Sequence, residues 1–391
     1  MEEFVKQSAR SGLRWSVLVL AFLCVAVLVP VRRIASAIRH AFDTPPVFAN
    51  GTEGYHCFRI PGIVQTPDGA LLAFAEARKN DCDDFGDIDI VMRSSHDEGD
   101  SWSALQVVAS NGNRVTYNPT AVVDAMDPKY PHGRVLLFYT ASDVPEGDLI
   151  AGHGAVHVLY RASTDDGATW AAPVDVTDSV KPSSWGNYGV GPGHGLQLTE
   201  GPHKGRIFIP AFHSEGQPGH YEGRAHDFFS DDHGQTWTLG ATVTWPGASE
   251  SSAAPGTDGS VVMNSRDDSV KSHARILSAS RDGGEHWDAT WVAHDLPDLI
   301  CEGSMVSYTA PGRKPVLLTS NLLKSSAEYR QGLALSMSSN GGHSWRKRAD
   351  IYKWSSGYSD LVAMRGAKLG ILWERADNGI VFTTLPTDHL Y

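Results

Sequence analysis

Five octapeptides recur along the chain and constrain its fold more than any other feature. They read SHDEGDSW ending at Trp102, STDDGATW ending at Trp170, SDDHGQTW ending at Trp237, SRDGGEHW ending at Trp287 and SSNGGHSW ending at Trp345. Each starts with Ser, carries Asp or Asn two places on and Gly two places after that, and closes on Trp three residues later. Asp or Asn ahead of Gly makes a tight turn: glycine takes the left-handed backbone without a Cβ clash, and the short polar side chain bonds to the turn's own backbone. The Trp returns the chain to a packed layer, so each copy predicts a hairpin.

The Trp-to-Trp spacings are 68, 67, 50 and 58 residues, close to one four-stranded antiparallel sheet plus loops per repeat. Strand-like runs fill the intervals: RVLLFYTAS from Arg134, RIFIPAFHS from Arg206, GSVVMNSR from Gly259 and KLGILWER from Lys368. No long stretch between Ala41 and Tyr391 carries an apolar stripe of helical period. The chain is therefore expected to be all-β. Sheets repeated radially form a β-propeller, which hides its edges by closing on itself. Five motif-bearing blades, plus a sixth made of the strands near residues 41 to 75 and the C-terminal run, predict a six-bladed propeller over residues 41–391. The octapeptides read as architecture rather than chemistry.

Residues 1–40 differ in kind. Trp15 to Val31 is an uncharged apolar run of 17 residues, preceded by Lys6, Arg10 and Arg14 and followed by Arg32 and Arg33. A cleaved signal peptide, with Ala35-Ser36-Ala37 as the cleavage site, and a retained membrane anchor both fit. Either delivers the rest of the chain out of the cytosol. A net charge of -12 argues against a nucleic-acid partner, which would need a basic surface. Outside the apolar run Cys57, Cys82 and Cys301 are an odd number without a CxxC pair. They signal neither a disulfide framework nor a zinc cluster, although one bridge is possible. The histidines His213, His220 and His226 lack HExxH spacing, and GVGPGHG at Gly189–Gly195 precedes no helix. No metal or organic cofactor is expected.

One cation is out of keeping with its surroundings. Arg59 in CFRIPG lies between Phe58 and Ile60 in a run otherwise suited to a buried strand. A guanidinium there needs a protein carboxylate or an anionic ligand.

FRIP followed by LLAFAEAR resembles the opening of exo-sialidase catalytic domains, and the octapeptides resemble the Asp boxes of sialidases, over about residues 45 to 385. The resemblance implies a six-bladed propeller whose substrate, sialic acid, bears a carboxylate on its anomeric carbon. Three arginines are implied as its receptors: Arg59, Arg266 in GSVVMNSR and Arg330 in EYRQG. Their planar forks suit a carboxylate. Glu374 in GILWERA is implied to steady Arg59, the alternative being a pair with neighbouring Arg375. Tyr358 in SGYSDL matches the nucleophile motif. A neutral phenol avoids setting two anions about 4 Å apart, which costs roughly 4 kcal/mol at an effective dielectric near 20.

Glu250, sixteen residues before Arg266, is implied as the base that takes the phenol proton, with Glu222 and Glu302 as weaker substitutes. The family's acid/base is an aspartate on a loop beyond the first arginine, and counted from Arg59 the resemblance implies Asp84 in NDCDDFGDID, with Asp83 in reserve among neighbours Asp81, Asp87 and Asp89. The bland reading of this acidic loop is a solvated turn, and its oxygens do not follow EF-hand spacing. Arg78 in AEAR is implied to reach the hydroxyl end of the sugar. The function implied is retaining hydrolysis of sialic acid from glycoproteins, glycolipids and oligosaccharides. Transfer to a sugar acceptor and preference for a deaminated sialic acid are alternatives on the same site. A carbohydrate-binding propeller without catalysis would carry an incomplete residue set.

Overall fold

Residues 44–391, except 218–219, 327–328 and 388–389, are described by a computed structural model. Strands pair with their neighbours in sequence, so local hairpins build the sheets. Cys57–Gln65, Leu71–Arg78, Ile88–Ser95 and Gln106–Ala109 form the first group. Val115–Asp124, Arg134–Ser142, Val156–Ser163 and Val174–Asp175 form the second, joined to the first by a parallel bridge between Ile88 and Val115. Ile207–Gln217 then carries Tyr188–Val190 and Leu196–Gln197 on one edge and His220–Ser230 on the other, followed by Thr238–Thr242. Ala248–Pro255, Val261–Asp267, Ala274–Ser280 and Ala289–Pro297 make a separate four-stranded sheet.

The last sheet is continuous because one strand serves two groups. Ser304–Tyr308, Val316–Ser326 and Tyr329–Ser338 lead to the first half of Arg346–Met364, whose second half pairs with Lys368–Arg375 and so with Gly379–Leu385. Of the described strands near residues 41 to 75, only the two-residue Phe48–Ala49 joins this C-terminal run, where the sequence suggests that the others do as well. Cys57–Gln65 and Leu71–Arg78 belong with the first octapeptide, and Phe48–Ala49 pairs with Gly379–Leu385. The length of Arg346–Met364, 19 residues, explains the difference: its second half already supplies an edge, so the C-terminal group needs only a short strand to finish it.

All five octapeptides are hairpin turns with one hydrogen-bond network. In STDDGATW the Gly167 amide donates to Ser163 Oγ at 2.9 Å, and the Thr169 amide donates to Asp165 Oδ1 at 2.9 Å. The equivalent Gly-to-Ser and backbone-to-Asp or Asn bonds recur around Ser95, Ser230, Ser280 and Ser338. Gly167 has φ 82°, a value that explains why glycine stands there.

The tryptophans carry packing from one group to the next. Trp170 lies 6.0 Å edge-on to Phe74, Trp237 4.9 Å from Phe138 and Trp287 6.4 Å from Phe208. Trp102, from the first octapeptide, meets Phe382 on the last strand at 5.6 Å. Edge-to-face pairs add about 0.5–1.5 kcal/mol to the burial of the rings. Among the described residues no helix is long and apolar enough to cross a membrane, and the apolar segment within residues 1–40 lies outside them.

Trp237 is 8% exposed and touches Phe138, Tyr160 and Phe228. Trp237→Ala should cost about 3–5 kcal/mol of stability, read as a lower urea midpoint. The half-buried Trp102 should cost less on the same change.

Candidate active site

Arg59 leaves the regular alternation of its strand at a bulge between Arg59 and Gly62, where Ile60 has φ 57°. A bulge re-aims side chains. The Arg59 guanidinium meets Glu374, Nε to Oε1 at 3.0 Å and Nη2 to Oε2 at 3.4 Å, across 315 residues of sequence. Glu374 also accepts from the Ile60 amide at 2.8 Å and the Tyr358 amide at 3.0 Å. One carboxylate thus fixes the first arginine, the bulge beside it and the backbone of the tyrosine. Gly357 is required by this approach: a Cβ there would lie 1.9 Å from Glu374 Oε2. Arg375 is ion-paired with Asp377, so Glu374 is committed to Arg59 rather than to its sequence neighbour.

Tyr358 is 6% exposed, and its hydroxyl lies 2.7 Å from both oxygens of Glu250. Arg266 Nη1 donates to the same hydroxyl at 2.9 Å and to Glu250 at 2.6 Å, while Arg266 Nε faces Asp268. The guanidinium carbons of Arg59 and Arg330 stand 5.3 and 5.7 Å from the tyrosine ring centre. The three arginines therefore converge on one phenol. Burial pushes the Tyr358 hydroxyl well above its ordinary value and the Glu250 charge adds to this, against the opposing pull of Arg266 and Arg59. The phenol is neutral at rest, with its acceptor already in contact.

Asp84 stands on the exposed loop between Leu71–Arg78 and Ile88–Ser95. Its Oδ1 lies 2.7 Å from Arg78 Nη1 and 3.7 Å from Arg59 Nη1. Partial desolvation opposes ionisation, but Arg78, Arg59 and Arg330 outweigh it and hold the carboxyl below the ordinary range. Asp83 is exposed, and its amide turns back to Asp81; the reserve candidate does not take part in this ion pairing. Arg78 is buried, clasped by Glu76 at 2.6 and 3.1 Å.

The substitutes for the base lie elsewhere. Glu222 is exposed and paired with Arg224. Glu302 accepts the Ser359 amide at 3.2 Å, and burial and then Asp360 push its carboxyl well above the usual range. The cleft beside Tyr358 is also lined by Asn118 and Asn187 and by the apolar side chains of Val144, Leu149 and Phe212. Glu146 lines it and accepts from Asn187 at 2.7 Å, and burial raises its carboxyl. Sequence reasoning missed Glu146 because a lone Glu in a five-residue helix carries no motif. It also left open the disulfide between Cys57 and Cys82. The available signal was positional: each cysteine lies two residues before Arg59 or Asp84.

Asp124, Asp127 and His233 gather as a cation site would. Arg134 already supplies the positive charge, 3.1 Å from Asp124 and 3.5 Å from Asp127. His213 and His226 meet at 3.0 Å in the core with Trp185 stacked on His213, and burial pushes His213 down to about 4. Both sets read as structural.

Residues 69–371 match the family model for a BNR repeat-like domain. The sialidase of Micromonospora viridifaciens is 32% identical over 341 residues, 83% of this chain and 51% of its own length. Sialidase-2 of Mus musculus is 30% identical over 296 residues, 69% of this chain and 73% of its own. Hadza microbial sialidase Hz136, a solved structure, superposes with a TM-score of 0.76 at 24% identity over 87% of this chain and 68% of that one. The chain spans about half the length of the Micromonospora relative.

Glu374→Gln keeps the shape but removes the charge and one acceptor from a buried site with four donors. It should cost about 1–3 kcal/mol, measured as a lower thermal midpoint.

Proposed function

The chain belongs to the sialidase family, and from that premise we propose that it is an exo-α-sialidase releasing terminal sialic acid with retention of configuration. The observation that carries the reading is the Tyr358 hydroxyl, 2.7 Å from both Glu250 oxygens and 2.9 Å from Arg266, with Arg59 and Arg330 at its ring. Arg59, Arg266 and Arg330 receive the substrate carboxylate. Glu374 neutralises part of their mutual repulsion and holds Arg59 in place. Arg78 faces the hydroxyl end of the sugar.

The Tyr358 oxygen attacks the anomeric carbon as the glycosidic bond breaks. The phenol proton passes to Glu250, and the leaving oxygen takes a proton from Asp84. Water then attacks the same carbon and gives its proton to Asp84, while the tyrosyl oxygen leaves and recovers its proton from Glu250. Two inversions give net retention. A carboxylate nucleophile would have met the substrate's own anion; the phenol does not.

Asp84 rests below the ordinary carboxylate range because of its arginines. A bound carboxylate neutralises part of that field, so loading the site prepares the acid to hold a proton. The fold we propose around this chemistry is a closed six-bladed propeller. The Trp102–Phe382 contact and the pairing of Phe48–Ala49 with Gly379–Leu385 support closure, since they join the first described residues to the last strands. The substrates we propose are sialylated glycoproteins, glycolipids and oligosaccharides. We place the enzyme outside the cytosol, delivered by residues 1–40 as signal or membrane anchor, a reading that the Cys57–Cys82 bridge favours because disulfides persist in oxidising compartments.

A fluorogenic aryl sialoside should be turned over by the domain, with Glu250→Gln lowering kcat by about 10²–10⁴-fold and Tyr358→Phe removing the covalent step. Full turnover by Tyr358→Phe would remove the nucleophile; no turnover by the parent would favour a carbohydrate-binding propeller. Only protonated Asp84 can donate, and its arginines keep its carboxyl low, so kcat/KM for sialyllactose should fall as the pH rises from about 4 to about 7. A rate that climbs over that range would contradict the acid assignment.

A further inference from the structure

Asp84 poses a mechanical problem. An acid must be held to within about half an ångström of its working position, yet Asp81 to Phe85 are all exposed. The loop's ends are tied where the Lys79 amide donates to Asp87 at 3.1 Å and the Lys79 ammonium pairs with Asp87 and Asp89. Its tip is held differently. Cys82 is bridged to Cys57, the first residue of the strand that carries Arg59. Cys57 is also the strand partner of Arg78, whose Nη1 bonds the Cys82 carbonyl at 2.5 Å. Arg78 is anchored in turn by Glu76, which accepts the Asn118 amide at 2.9 Å.

We propose that the Cys57–Cys82 disulfide, with the Arg78 guanidinium beneath it, is a positioning device that fixes the Asp84 loop against the Arg59 strand. Each sulfur lies two residues before one partner of the Arg59–Asp84 pair. The bridge therefore sets the distance between the residue that proton transfer uses and the residue that receives the substrate carboxylate. Neither cysteine touches substrate; they act through Asp84. The inference rests on the reading of Asp84 as the acid.

Leaving-group chemistry separates positioning from general stability. A phenol of low pKa departs without a proton, whereas the sugar alcohol of sialyllactose needs one. Opening the bridge should lower kcat/KM for sialyllactose, which reports the bond-breaking step alone, by about tenfold or more and change kcat/KM for the aryl sialoside less than twofold. The measurement compares the oxidised parent, the same protein after reduction by a phosphine, and the Cys57→Ser/Cys82→Ser variant. Among the described residues Cys82 is exposed and the one free thiol, Cys301, is buried, so reduction addresses this bridge even where the double variant does not fold. Reoxidation should restore the sialyllactose rate. Equal losses on both substrates, or no loss in the reduced protein, overturn the proposal. Asp84→Ala provides the separate control. If it shows no leaving-group dependence, the acid assignment fails; if it does while the reduced protein does not, only the role of the bridge fails.

Discussion

Concentrated positive charge is the constraint around which the site is arranged. Arg59, Arg266 and Arg330 gather at one tyrosine, and each is stabilised by its own acceptor. Glu374 answers Arg59, Glu250 and Asp268 answer Arg266, and the Ile300 carbonyl answers Arg330. Such a cluster is stable without ligand only because every cation has an acceptor in contact. It also remains accessible to an anion, since Arg266 and Tyr358 line an open cleft.

In the proposed reaction the same charges serve both partners of the acid–base pair. Glu250 is held by Arg266 and touches the phenol, so the proton has a short path and a receiver kept near a cation. Asp84 is held by Arg78 and Arg59, which suppress its protonation until a second anion shares their field. Occupancy and proton state are thereby coupled electrostatically rather than by a moving part.

Much of this was legible in the sequence, because turns and strand-embedded charges carry local signals. The octapeptides identified the hairpins, and FRIP, SGYSDL and GILWERA identified Arg59, Tyr358 and Glu374, which the structure brings together. Less was legible where the determining contact is remote. The C-terminal sheet is completed by Phe48–Ala49, a two-residue strand too short to show periodicity. The cysteine pairing depended on which of the three thiols outside the apolar run the folded loop brings within reach, and spacing alone does not decide that. Glu146 reaches the cleft from a helix of five residues, without a recurring pattern around it.

The long strand Arg346–Met364 has a temporal consequence. It carries Tyr358 at the point where one group of strands hands over to the next, and Glu374 follows sixteen residues later. The receptor arginine waits near the amino-terminal end of the domain for an acid 315 positions downstream. A nascent chain halted before its last two strands would hold every octapeptide turn and still lack the anchor of Arg59 and of the tyrosine backbone. The site therefore gains its anchor only once Lys368–Arg375 has been made.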